Sequence, residues 1–292
     1  MRGLILKGVG GVYSVRDDEG TVHTCFARGR FRRQKIKPLV GDFVEFQPQR
    51  GEEDGYLLEI LPRRNALRRP LAANIDLLLI VMAPVPEPDW LLCDKLLSDA
   101  VSMGVEAALI MNKRELSPDG GEAALSVYRH LPFTCAVSAK ERAGLEPLRE
   151  FLAGKTFVLA GQSGVGKSSL LNALLPEAAR ETGGLSEKIA RGKNTTRHSE
   201  LLDLGGGTYA VDTPGFSLLD AEPMEPAAFL ATYPDFSPYA DGCRFAGCLH
   251  DKESGCALRE AVEAGEIPRE RYERYRILLA EIRELWRRRY DG

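Results

Sequence analysis

The chain has 292 residues, 44% of them hydrophobic and 28% charged, with a formal net charge of -3. This is the composition of an ordinary globular protein, too long for one small core and divisible into two or three domains. It is not basic overall, so any contact with nucleic acid has to come from local patches. No apolar run approaches the ~20 residues of a membrane span, which excludes a helical membrane protein.

Met1-Arg2-Gly3-Leu4 lacks the apolar core of a signal peptide, and the expected compartment is the cytoplasm, with no membrane partner. From Leu4 to Leu61 short strands alternate with turn signals. They are Gly11 to Val15, Thr21 to Phe26, Phe43 to Phe46 and Tyr56 to Ile60, and about five strands in this length predict a small closed barrel of the OB type over residues 1–64. Between them, Arg28 to Lys37 carries six basic and no acidic residues around Phe31, a pattern leaning toward a nucleic-acid backbone.

Past Pro62-Arg63-Arg64-Asn65 the pattern becomes alternating strand and helix. Strands are predicted at Ile75 to Met82, Ala107 to Met111, Phe133 to Val137 and Phe157 to Ala160, with a helix from about Asp89 to Met103. This is a doubly wound α/β sheet, placed at residues 65–220. Gly161-Gln162-Ser163-Gly164-Val165-Gly166-Lys167-Ser168, followed by Ser169, reads G-x-x-x-x-G-K-S between a strand and an apolar helix. In such a loop glycines let backbone N–H groups close around phosphate oxygens, the lysine reaches the outer phosphates and the serine hydroxyl ligates Mg²⁺.

Three other strands end in polar clusters: Asn112-Lys113-Arg114-Glu115, Ser138-Ala139-Lys140 and Asp212-Thr213-Pro214-Gly215. Ligands of open α/β sheets bind beyond the carboxyl ends of strands, so the clusters can converge on one nucleotide. They resemble the boxes of GTPases. The resemblance implies that Asn112, Lys113 and Glu115 read guanine, that Ser138, Ala139 and Lys140 steady the base, and that Asp212 and Gly215 serve the γ-phosphate side. It also implies that Thr195 or Thr196 closes over Mg²⁺ with Ser168. Glu115 stands where that family has Asp, which shifts the carboxylate by about one C–C bond. The base-reading boxes precede the phosphate loop, the order of a circularly permuted GTPase. Phe216 follows D-x-P-G where efficient GTPases often carry Gln, so slow, partner-dependent turnover is expected. His198, Asn194 and Arg197 are polar neighbours, and the water-orienting group is left open.

Of six cysteines, Cys25, Cys93 and Cys135 read as reduced core residues. The others form Cys243-x4-Cys248-x-His250-x5-Cys256, a donor set for one structural, tetrahedral Zn²⁺ within a segment at residues 221–292. Tyr275, Leu278, Leu279, Ile282, Leu285 and Trp286 then fall at helical spacing and are expected to pack on the metal knuckle, with arginines, among them Arg287 to Arg289, on the other side.

Barrel, permuted boxes and C-x4-C-x-H-x5-C together resemble the bacterial ribosome small-subunit-dependent GTPase A family, with local strings Arg191 to Arg197 and Cys243 to His250. The resemblance implies GTP hydrolysis to GDP under stimulation by the small ribosomal subunit, with barrel and zinc segment gripping rRNA during late subunit maturation; a monomer is expected. Asn194 departs from the His common there. The other classes open to this sequence are a P-loop ATPase or kinase and a nucleotide-stabilised RNA-binding module without useful turnover.

Overall fold

The structure is a computed structural model that describes residues 1–33, 36–49, 54–67, 69–176, 199–212 and 224–289. Strands β1 (Arg2–Val9), β2 (Val12–Asp17), β3 (Val22–Ala27), β4 (Phe43–Gln47) and β5 (Gly55–Ile60) run in the order β1-β2-β3-β5-β4, and β4 returns to pair with β1. That closure makes the OB-type barrel. Its alternating pattern buries Ile5, Tyr13, Val15, Cys25, Val44, Phe46 and Leu57 on the inside. Gly10 and Gly11, with φ of 61° and 89°, supply the two left-handed residues of the β1–β2 hairpin turn. Phe31 corrects one expectation: it is 4% exposed and belongs to the barrel core, anchoring the short helix α1 (Gly29–Arg33) instead of standing among the basic side chains.

A small two-stranded bracket, β6 (Ala66–Leu67) with β7 (Ala72–Ala73), leads into the parallel strands. These are β8 (Leu77–Met82), β9 (Glu106–Met111), β10 (Thr134–Ala136), β11 (Thr156–Ala160) and β13 (Thr208–Asp212), ordered β10-β9-β8-β11-β13. β8 is buried along its whole length, as a central parallel strand covered on both faces must be. Helices α2 (Trp90–Ser102) and α3 (Glu122–Ser126) cover one face, while α4 (Leu145–Leu152) and α5 (Lys167–Leu174) cover the other. One strand that the sequence pattern does not predict is β12 (Glu200–Gly205), which pairs antiparallel with β13 through a turn of Gly205, Gly206 and Gly207. β12 also touches β1 of the barrel at Glu200↔Lys7, so barrel and α/β strands form one continuous 11-stranded sheet.

Beyond residue 224, a 3₁₀ stretch (Pro226–Thr232), a short helix (Ala257–Glu263) and the C-terminal helix (Arg269–Arg288) enclose a separate core of Phe229, Tyr233, Phe236, Leu258, Tyr275 and Leu279. Among the described residues no helix is long and apolar enough to cross a membrane.

Candidate nucleotide-binding rim and metal centre

β11 runs directly into Gly161, whose φ of 127° suits only glycine; a Cβ there would lie 2.2 Å from the Val81 carbonyl oxygen. After Gly164 the chain reaches Gly166, the N-cap of α5, so the unpaired first-turn N–H groups of α5 open on the carboxyl edge of the sheet. Val165 is fully buried beneath the loop, and Ser163, Ser168 and Ser169 lie on its more open side. Lys167 folds back, its Nζ donating to the carbonyl oxygens of Gly161 (2.5 Å) and Gln162 (3.0 Å), and burial lowers its pKa. An ammonium held by carbonyls in a half-buried loop is a ready partner for a phosphate oxygen.

Asn112, 1% exposed at the end of β9, ties this loop to its neighbours. Its Nδ2 donates to Val165 O at 2.9 Å and its Oδ1 accepts from the Ala139 N–H at 3.0 Å. Gly166 is required beside it, because a Cβ would lie 2.5 Å from that Nδ2. Lys113 adopts a left-handed backbone (φ 58°), and its Nζ donates to Val85 O (2.8 Å) and Gly164 O (2.7 Å). Such a conformation costs a lysine about 1 kcal/mol or more, and the two bonds that strap the phosphate loop hold it in place.

Ser138 is fully buried, its Oγ accepting the Glu141 N–H at 3.0 Å, while Lys140 is exposed beyond it. Glu115 sits in the 3₁₀ turn Arg114–Leu116. Burial pushes its pKa up, but the Ser138 hydroxyl, its own backbone and the charges of Lys140 and Lys113 outweigh this, and the net direction is down. Its Oε2 is buried without a hydrogen-bond partner. An ionised carboxylate oxygen, sheltered and unengaged, suits a ligand that presents N–H donors. Asp212 is half-buried at the end of β13, which lies beside β11. Thr195, Thr196 and Gly215 lie outside the described residues, as do Asn194, Arg197, His198 and Phe216. One contact has no signal in the sequence: the Gln162 Oε1 accepts from the N–H of Asp89 (3.3 Å), the N-cap of α2, so that helix starts against the phosphate loop.

The second cluster is the knuckle. The Sγ atoms of Cys243, Cys248 and Cys256 and a ring nitrogen of His250 lie within 4.8 Å of one another, close enough for one tetrahedral ion. The Nδ1 of His250 is 3.4 Å from both Cys243 Sγ and Cys256 Sγ. Burial lowers the His250 pKa and so favours the neutral ring a metal requires; it pushes the Cys248 thiol up to about 12, which only a cation would reverse. His250 has φ 59°, and its carbonyl accepts the Tyr272 hydroxyl at 2.8 Å. Glu253 accepts from the N–H groups of Leu249, Asp251 and Lys252 (3.2, 2.9 and 3.0 Å), clamping the loop around that residue.

A parallel sheet with a lysine-bearing phosphate loop, and with base-side clusters that precede it in the chain, defines a circularly permuted P-loop GTPase. The solved structures agree. YjeQ from Thermotoga maritima matches with a TM-score of 0.84 and 35% identity, covering 96% of this chain and 98% of its own. YloQ, a circularly permuted GTPase, matches with a TM-score of 0.79 and 32% identity, covering 97% and 95%. The family model RsgA GTPase matches residues 60–222, and that of the RsgA N-terminal domain matches residues 2–57. The small ribosomal subunit biogenesis GTPase RsgA of Geobacillus thermodenitrificans is 43% identical over 97% of both chains. The small ribosomal subunit biogenesis GTPase RsgA 2 of Listeria innocua is 39% identical over 97% of this chain and 98% of its own. The chain belongs to the RsgA GTPase family and is a GTP phosphohydrolase.

Proposed function

We propose that the protein is a small-subunit maturation GTPase that binds rRNA, hydrolyses GTP to GDP and phosphate in response to the small ribosomal subunit, and works in the cytoplasm as a monomer. The observation that carries the reading is Asn112, whose two hydrogen bonds gather the phosphate loop and the Ser138-Ala139-Lys140 loop at one rim. The relatives' names supply the subunit as partner.

In this reading residues 161–169 wrap the phosphates, Lys167 leaves its two carbonyls for the β- and γ-phosphate oxygens, and the free Oε2 of Glu115 accepts from guanine. Ser168 and one of Thr195 and Thr196 would hold Mg²⁺, which supplies charge neutralisation at those phosphates. Asp212 and Gly215 serve the γ-phosphate side. Because Phe216 cannot hydrogen-bond water, basal turnover is slow and the group that orients the water comes from elsewhere in this chain or from the subunit. The knuckle of Cys243, Cys248, His250 and Cys256 holds one Zn²⁺ with a purely structural role, since protein donors fill all four positions. The proposed division of the chain is 1–64, 65–220 and 221–292.

Turnover of GTP and of ATP, each with and without purified small subunits, tests the reading. GTP turnover that rises several-fold only with subunits, and is lost in Lys167→Ala, is expected. A preference for ATP would instead indicate a P-loop ATPase or kinase. Intact function in Lys167→Ala would indicate an RNA-binding module that nucleotide merely stabilises.

A further inference from the structure

The barrel carries an aromatic face that its core does not use. On β3 Cys25 points inward and is fully buried, so Phe26 points outward; on β5 Gly55 and Leu57 are buried, so Tyr56 points outward. Parallel pairing sets Phe26 directly opposite Tyr56, with ring centroids 6.4 Å apart. The same row continues to Val12 on β2 and to Gln47 on β4. Both rings are half-buried, and neither packs into the barrel core. The exposed Arg28 has its guanidinium carbon 5.5 Å from the Tyr56 centroid, and it is the first of the six basic residues between 28 and 37.

We infer that this row, centred on Phe26 and Tyr56, is a stacking platform for unpaired bases of single-stranded RNA, with Arg28 taking an adjoining phosphate. The inference deepens the proposed function and rests on its RNA-binding part. Every base has an apolar face that an exposed ring can cover, so stacking is strong and tolerant of sequence. In duplex RNA those faces are already occupied by neighbouring bases, and a duplex could use only the charges. The sheet face of an OB barrel is wide enough for such a strand.

The test uses the full-length, zinc-loaded protein and a fluorescein-labelled, adenine-rich single strand of about ten nucleotides, with a duplex of the same sequence as control. Phe26→Leu and Tyr56→Leu keep apolar bulk and remove the ring; each is expected to weaken single-strand binding about tenfold and to leave duplex binding unchanged. Tyr56→Phe keeps the ring and should bind as wild type does. Basal GTP turnover should not move, because neither ring touches the nucleotide rim, and the melting temperature checks that each variant is folded. A Tyr56→Trp reporter provides a second readout that does not depend on the leucine variants: its emission should fall on adding the single strand and not on adding the duplex. Leucine variants that bind the single strand normally, or that lose single strand and duplex equally, would overturn the platform. So would a tryptophan reporter that does not respond, or variants that lose small-subunit binding while keeping RNA binding. Failure of the underlying reading would be visible elsewhere, as wild-type protein whose GTP turnover ignores small subunits.

Discussion

The barrel meets the central sheet along a strand edge and through a buried seam in which Val40 pairs with Ala72 and Asn74 Nδ2 donates to the Gly41 carbonyl at 2.9 Å, whereas the metal-binding segment meets it through charges buried beneath α2. At the barrel edge the backbone contact is Lys7↔Glu200, reinforced by the partly exposed pairs Lys7–Glu200 (3.1 Å) and Arg16–Asp203 and by the Arg16 guanidinium 5.7 Å from the Tyr209 ring centroid. Under α2, Asp94 is fully buried, paired with Arg274, 3.6 Å from Arg271 Nε and hydrogen-bonded by the Tyr128 hydroxyl at 3.0 Å. Arg271 reaches on to Asp235 at 2.6 Å and lies over the rings of Tyr128, Tyr233 and Phe236. Ser98 on α2 also donates to Thr232 at 2.8 Å. Exposed pairs contribute little and yield to salt, while a buried network resists the removal of any one member. The metal segment is therefore fixed to α2, which itself starts against Gln162 of the phosphate loop. The barrel is joined by different means, through exposed charge pairs at the edge of β12 and through hydrogen bonds between residues 40–41 and 73–74.

The largest expected effect is loss of the metal. Strong chelation, or Cys256→Ser, should withdraw about 10 kcal/mol of folding free energy from the knuckle, since structural Zn²⁺ binding is folding free energy. Limited proteolysis should then cut residues 224–289 while the barrel stays resistant, which measured zinc content would confirm. Equal sensitivity of both ends would erase the contrast.

Next comes Asp94→Ala, expected to cost about 3–5 kcal/mol in denaturant unfolding, because it removes the buried partner of Arg274 and leaves Arg271 to Asp235 alone. Burial pushes the Asp94 pKa up against the pull of both arginines, so replacing the whole network by apolar residues is expected to cost far less than removing Asp94 alone.

How much of this is legible in the sequence depends on distance along the chain. The phosphate loop and the Cys/His knuckle are local spacings whose chemistry follows from residue types, and the strand ends that carry Asn112 and Ser138 follow from apolar runs with polar termini. Arg271 and Arg274 cannot be read that way. They sit on a helix whose apolar stripe, at Tyr275, Leu278 and Leu279, is buried as its spacing predicts, yet they face inward because Asp94, about 180 positions earlier, waits for them. Leu285, in the same predicted stripe, is 51% exposed, since the helix outruns its partner there. Phe31 misleads because an aromatic among arginines looks the same whether its ring turns toward solvent or into a barrel. β12 escapes notice because the glycine turn that pairs it with β13 reads as a loop until the partner strand is known.

A smaller effect comes from His130, which accepts from Arg271 Nη1 at 2.9 Å. Burial, and then the Arg271 charge, push its pKa from 6.5 down to about 3. With the folded value below the unfolded one, its contribution is complete above pH 6.5 and is lost as pH falls from there toward 3. His130→Gln keeps an acceptor without the titration, so its melting temperature should fall less than wild type's between pH 7 and 4.5. Asp94 and Asp235, whose pKa values burial raises, titrate in both proteins, and because Asp235 lies 3.7 Å from the His130 ring the difference reads His130 together with its Asp235 and Arg271 neighbours.

The smallest effect belongs to the barrel edge. A double-mutant cycle on Lys7 and Glu200, or on Arg16 and Asp203, should yield about 0.2–1 kcal/mol, the range of exposed pairs. Raising salt from about 0.05 to 0.5 M should shrink it further, because the Debye length falls well below ~10 Å. Asp94 variants should show a much weaker salt dependence, Asp94 and Arg271 being buried and Arg274 only 15% exposed. If the Lys7–Glu200 coupling instead exceeded about 2 kcal/mol and survived salt, the strand edge would be as firm a joint as the charges under α2. Such a result would remove the contrast between exposed and buried charge pairs at the two joints.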